Sequence, residues 1–209
     1  MQIRPLTAER WPDLERLFGR RGACGGCWCM YWRLPGSLFD NLKGEGTRSA
    51  LQSIVEAGEE PGLLAYEIAA SNQQEDRFQD SSSDPKFLHS EPVGWVALAP
   101  RQTYPRLARS RILKPVDEQP VWSISCFFVA KGWRRQGVSL ALLQGAVDYA
   151  FAHGAQIVEG YPIETPRGGD RQPDPFVYTG LASIFVRAGF VEVARRSPTR
   201  PIMRISRKT

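Results

Sequence analysis

The sequence predicts an α/β fold of the α+β kind, a mixed central sheet with helices on its faces, and three observations predict it. Val121–Val129 (VWSISCFFV) is a continuous apolar run rich in β-branched and aromatic residues, as a buried strand requires. After Val138 the periodicity changes: Leu140, Leu143, Val147 and Ala150/Phe151 recur at helical spacing, while Gln144, Asp148 and His153 take the opposite face. Ala155–Tyr161 then returns to an apolar strand pattern. A strand, a helix and a strand in this order form a right-handed crossover, so the two strands are expected to be parallel neighbours.

The remaining elements follow in chain order. Met1–Leu6 reads as a strand, and Thr7 stands where it would cap a helix running to about Phe18. Pro12 moves the first regular turn of that helix towards Trp11. Thr47 is expected to cap a second helix, with Leu51, Ile54 and Val55 turned inward and Gly58 as its stop. Leu63–Ile68 and Val93–Leu98 read as strands. Between them, Ser71–Glu91 is polar and poor in branched apolar residues, which predicts a flexible hairpin insertion. The basic stretch Arg101–Lys114 reads as a solvated connection, and Pro162–Pro175 as a loop. A short helix at Gly180–Arg187 ends at Ala188-Gly189. Val191–Arg195 and Ile202–Ser206 form a closing hairpin around Ser197-Pro198-Thr199.

The 209 residues suit one domain, 1–209, with length enough for a core. Hydrophobic residues at 42% and charged residues at 23% belong to a soluble globular chain, and no run reaches transmembrane length. The first residues carry no apolar signal segment, so neither export nor a membrane partner is expected and a cytoplasmic protein is. Four cysteines, three of them crowded at positions 24, 27 and 29, suit reduced thiols better than a disulfide framework. The net charge of +5 fits a small polyanion, and no interleaved aromatic and basic motif argues for nucleic acid.

Lys131-Gly132-Trp133-Arg134-Arg135-Gln136-Gly137 joins the central strand to its helix. A helix N-terminus offers unpaired N–H groups and the positive end of a dipole, so an anion can dock there. Gly137 permits a close approach, and Arg134 and Arg135 add charge. The spacing Arg134-x-x-Gly137-x-Ser139 resembles the pyrophosphate loop of the GNAT superfamily of N-acetyltransferases, Gln/Arg-x-x-Gly-x-Gly/Ala, with Ser139 departing at the last position. The predicted order β-α-α-β-β-β-α-β-α-β-β resembles the same superfamily, most specifically over Val121–Phe190. Cys27–Trp32, Pro120–Ser123 and Glu159–Pro162 resemble a bacterial subgroup whose substrate is unassigned.

That resemblance implies a GNAT fold with splayed parallel strands, acetyl-CoA as cosubstrate, and direct attack by a small-molecule or peptide amine in a ternary complex. It implies that the Phe127 N–H serves the thioester carbonyl as oxyanion donor, with Phe128 and Val129 along the pantetheine arm. Arg134, Arg135, Gln136, Gly137, Val138, Ser139 and Leu140 would take the pyrophosphate. Tyr178 and Phe185 stand where relatives place a coenzyme-side asparagine and a tyrosine acid, so the usual proton-handling groups are missing. Tyr178 is the nearest remaining hydroxyl, and Glu159 could accept a proton through water.

Two alternatives stand beside this. An acyl-CoA-binding sensor would explain the loss of the acid at Phe185. A metal module would use Cys24, Cys27, Cys29 and Cys126, but no second Cys or His pair follows at finger-like spacing, so no metal is expected and the cysteines read as apolar liners. Four large side chains fall within Cys27–Trp32. By the resemblance, Trp28, Cys29, Tyr31 and Trp32 would wall the amine pocket; otherwise they pack in the core or in a homodimer interface.

Overall fold

The central apolar run forms β4 (Trp122–Val129), and the strand order around it fixes where the site can lie. The computed structural model describes residues 1–68, 91–165 and 177–208. Six further strands join β4: β1 (Gln2–Pro5), β2 (Gly62–Tyr66), β3 (Pro92–Pro100), β5 (Ile157–Gly160), β6 (Val191–Arg195) and β7 (Pro201–Ser206). They form one sheet in the order β1-β2-β3-β4-β5-β7-β6. β4 and β5 pair in parallel across the crossover helix, as expected, and the other named strands pair antiparallel.

Side-chain alternation sorts the strands onto two faces. Val96, Leu98, Ile124 and Phe127 pack on one face against α5 (Val138–Ala152), which supplies Leu142, Leu143 and Ala146. Trp95, Ala97 and Cys126 face the other way, onto α1 (Trp11–Phe18), α3 (Glu45–Glu56) and Trp28–Met30. Each large side chain buried in these layers contributes about 1.5–3 kcal/mol. A smaller cluster joins Trp32, Tyr104, Leu107, Leu113, Tyr161 and Ile202.

The helix starts differ from those expected. Thr7 makes no capping bond; its hydroxyl donates to the Glu9 carboxylate at 2.6 Å, and α1 begins at Trp11 with Pro12 in the first turn, where a missing N–H costs nothing. Thr47 lies inside α3 rather than at its cap. Its hydroxyl accepts from the Gly44 N–H at 3.1 Å and lies 2.6 Å from the Gly26 carbonyl, tying the helix to the loop before it. α2 (Gly36–Leu42) and α4 (Pro105–Arg109) are additions to the expected order. α4 belongs to the stretch read as a solvated connection, yet Tyr104, Leu107 and Leu113 are buried there. Apolar residues spaced among arginines hid that packing. α6 (Ala182–Arg187) and the closing β6–β7 hairpin lie where expected. The insertion expected at 71–91 lies, but for Glu91, outside the described residues, as does most of the loop after Pro162.

Candidate active site

β4 and β5 stay paired for three residues only, Trp122 with Val158, Ser123 with Glu159 and Ile124 with Gly160. Beyond them, Phe127–Val129 remain bonded to β3 and leave β5 behind. The departure coincides with a β-bulge: Ala97 pairs with Cys126 and Leu98 with Ile124, so Ser125 is the extra residue. Phe185 of α6 fills the opening. Its fully buried ring meets Phe127 edge to face at 6.1 Å and Phe190 at 5.0 Å. A Cβ at Gly180 would come within 2.8 Å of that ring, and one at Gly160 would overlap it. Phe185 is therefore a core wedge between the strands, and not the coenzyme contact its position suggests.

The basic turn behaves as its composition predicts. Lys131–Trp133 forms a single helical turn, and Gly137, at φ 82°, caps α5 in the left-handed region that favours glycine. Nothing lies within 4 Å of where a Gly137 Cβ would sit. Arg135 and Gln136 are exposed, Gln136 Nε2 holds the Gly132 carbonyl at 2.7 Å, and Arg134 Nε donates to the Val129 carbonyl at 3.2 Å. The first amides of α5, at Val138, Ser139 and Leu140, thus follow a left-handed glycine and two arginines, an arrangement that can receive an anion.

Phe127 departs from expectation. Its N–H donates to the Tyr178 carbonyl at 2.6 Å, so the amide assigned to the oxyanion is already engaged. That bond fills the gap that β5 leaves and holds Tyr178 against the bulged half of β4. The Tyr178 ring packs where two core clusters meet. Burial raises the pKa of its phenol, the Cys126 thiol adds to the effect, and Arg200 opposes it.

Glu159 is not placed to move protons. It is fully buried; Arg101 Nη1 donates to Oε1 at 2.6 Å, Arg204 Nε to Oε2 at 2.7 Å, and the Tyr161 hydroxyl to Oε1 at 2.7 Å. The Tyr161 hydroxyl also meets Ser123 Oγ at 2.7 Å, and Arg204 reaches Asp117 as well. A carboxylate held by two guanidiniums is a structural anion that ties β5 to β7 and to Arg101. Arg101 was concealed by the same basic stretch as α4.

The aromatic segment is mostly interior. Trp28 stacks on Trp11 at 5.9 Å and leans on Gly22, where a Cβ would overlap the indole. Trp28 at φ 41° and Cys29 at φ 53° hold left-handed backbone, a strain the surrounding core stabilises. Cys29 Sγ lies 3.3 Å from Cys126 Sγ beneath the bulge, both thiols buried. The Cys29 thiol and burial raise the pKa of Cys27; the Cys126 thiol and burial raise that of Cys29, which Cys27 opposes. Trp28 and Cys29 are therefore core residues rather than pocket walls. Trp32 is 9% exposed, and Tyr31, at 39%, faces outward with the Arg106 guanidinium 4.1 Å above its ring. Among the described residues, no group of three or more His, Cys, Asp or Glu is placed to hold a metal ion.

Sequence reasoning passed over Arg33, Tyr104 and Ser125. The Arg33 guanidinium lies 5.0 Å above the Tyr104 ring. Burial raises the pKa of the Tyr104 phenol, Arg33 and an interaction with the Ser125 hydroxyl lower it, and Cys29 and Cys126 raise it. These groups therefore share one corner beneath the bulge. A cavity of about 930 Å³ lies elsewhere, between the later turns of α5 and β7, with Asp148, Phe151 and Arg204 in its wall.

Comparison with known proteins agrees with this architecture. The acetyltransferase (GNAT) family model matches residues 49–161. No curated protein matches the chain. A GNAT-family acetyltransferase from Listeria monocytogenes superposes with a TM-score of 0.54 at 9% identity, covering 98% of this chain and 94% of its own. One from Streptococcus agalactiae gives 0.52 at 11% identity, covering 100% and 96%. The PaiA N-acetyltransferase of Thermoplasma acidophilum, in complex with coenzyme A, gives 0.48 at 13% identity, covering 99% and 98%. The first two likenesses show the fold alone.

Proposed function

Since this chain belongs to the GNAT acetyltransferase family, we propose that it transfers an acetyl group from acetyl-CoA to an amine by direct attack in a ternary complex. One observation supports this above the others: the strands part after Ile124 and Gly160, and the parting opens towards the N-terminus of α5. A thioester carrier would lay its pyrophosphate on the amides of Val138, Ser139 and Leu140, with Arg134 and Arg135 beside them. Its pantetheine would run along the edge of Phe128 and Val129 that β5 has vacated. Holding both reactants in line supplies about 7–11 kcal/mol of the barrier reduction.

For Phe127 to serve the thioester carbonyl, its N–H must exchange the Tyr178 carbonyl for the substrate oxygen. A backbone donor in such a place is worth about 2.7–4 kcal/mol. Tyr178, its phenol held protonated by burial, is then the group that can give a proton to the departing thiolate. The amine loses its proton to solvent, since Glu159 is committed to its arginines.

The test is release of free coenzyme A thiol from acetyl-CoA across an amine library, alongside calorimetric titration with acetyl-CoA. Amine-dependent release is expected. Tight binding with no release across the library would favour an acyl-CoA sensor instead.

A further inference from the structure

Among the described residues, Arg33 Nη2, Trp32 Nε1, the Tyr104 hydroxyl and Ser125 Oγ are buried with no well-formed hydrogen bond, the two hydroxyls facing one another beneath the bulge and Trp32 joining the same cluster as Tyr104. Tyr104 and Ser125 are almost wholly enclosed, at 1% and 0% exposure. Native interiors carry few such atoms, so four near one another ask for an explanation. Arg33 asks most, because among the described residues no carboxylate pairs with it. An unpaired guanidinium nitrogen out of water is costly.

The chemistry of the four is one-sided. A guanidinium and an indole N–H only donate, and each hydroxyl can donate. A set of donors with one fixed positive charge suits a planar anion, and a carboxylate accepts from such a set. We infer that the acceptor amine carries a carboxylate, which Arg33, Trp32, Tyr104 and Ser125 receive; this rests on the proposed acetyl transfer.

Direction along β4 supports the assignment. The pyrophosphate cradle follows Val129, so the acyl carrier arrives at Phe127 from that end. Ser125 lies two residues to the other side, roughly 6–7 Å along an extended strand. An amine next to Phe127 and a carboxylate at Ser125 are thus separated by a few bonds, the size of an amino acid. The positive charge of Arg33 also opposes the reverse orientation, with a protonated amine in this corner. The bulge is what turns Ser125, together with Cys126, towards Tyr104.

The experiment compares matched amines: L-amino acids, their carboxamides and the corresponding decarboxylated amines. Release of coenzyme A thiol gives kcat/KM, and calorimetry in the presence of coenzyme A gives binding of the same compounds. The wild type should prefer the carboxylate by roughly tenfold or more, the scale of one charged hydrogen bond. Arg33→Met should abolish that preference and leave acetyl-CoA affinity intact, while Arg33→Lys should keep part of it. If Arg33→Met does not fold by circular dichroism, Tyr104→Phe and Ser125→Ala make the same comparison. Equal use of carboxamide or decarboxylated amine by the wild type would overturn the inference while leaving acetyl transfer standing. If no amine reacts, acetyl transfer falls and calorimetry decides alone. Binding confined to carboxylates and lost on removal of Arg33 sustains the site, and its absence overturns it.

Discussion

Phe185 lies edge-on against Gly160, so close that a Cβ on the glycine would come within 2.8 Å of the ring's Cζ. The wedge and the glycine are one device: the ring occupies the space where β5 would otherwise follow β4. Gly160→Ala should cost about 1–3 kcal/mol of stability by overpacking. Phe185→Tyr, which restores the hydroxyl found in relatives, should not raise activity. It would bury a hydroxyl in an apolar wedge at a cost of about 1–3 kcal/mol. Urea unfolding of both variants, with rates on the folded fraction, checks this; a faster Phe185→Tyr enzyme would show that the ring edge reaches the thiolate.

Glu159→Gln should unfold readily and, while folded, catalyse normally. Removing the carboxylate leaves Arg101 and Arg204, 13% and 8% exposed, facing one another without their shared anion. Breaking a buried pair in this way costs roughly 3–5 kcal/mol. Denaturation midpoints and low-temperature kinetics separate the effects. A stable variant with a lowered rate would return Glu159 to the proton path.

Gly137→Glu should keep the fold and lose the coenzyme. Its left-handed backbone penalises a side chain by about 1–2 kcal/mol, and the space around it is open. A carboxylate at the cap of α5 then repels a pyrophosphate. Gly137→Asn, better tolerated in that conformation, should bind acetyl-CoA more tightly than Gly137→Glu. Calorimetric affinities equal for the two variants and the wild type would remove the loop from coenzyme binding.

The pH profile should rise and then stay level. Amine deprotonation promotes attack, so the rate climbs through the titration of the acceptor. Loss of the Tyr178 proton would bring it down again, but burial raises that phenol above its ordinary value of about 10, beyond the working range. Tyr178→Phe should lower the plateau without moving the climb. The effect should fall at the low end of the ~10²- to 10⁴-fold typical of acid catalysis, because a thiolate leaves readily. An unchanged plateau would exclude Tyr178 as the acid.

The strand–turn–helix at Val121–Ala152 was legible because each part leaves a strong local trace: an apolar run, a basic turn with glycine, a 3.6-residue period. Phe185 was legible as a departure from the relatives' tyrosine, but its role as wedge needed Gly160, 25 positions away in sequence, to be seen against it. Glu159 misled because a strand carboxylate looks alike whether it meets water or two arginines. Arg101 and Tyr104 were hidden because a basic stretch carries no sign of which of its side chains turn inward, and Arg33 because it ends an aromatic segment that drew attention to its rings. Trp28 and Trp32 illustrate the limit in reverse. Aromatic density marked an important segment, yet only its left-handed backbone turns Trp28 into the core and leaves Tyr31 at the surface.

Ser125 also sets how this strand can change over evolutionary time. Substitutions on either side of the bulge alter one contact each, so β4 can drift residue by residue. Removing position 125 is a different event. It would leave Ile124 opposite Leu98 and Cys126 opposite Ala97, as they are now, so the side chains would still alternate and both cores would keep their contents. What β4 would lose is the bend and the extra twist that the bulge introduces where it leaves β5. A lineage that lost this residue should therefore keep its fold while changing the parting of the two strands.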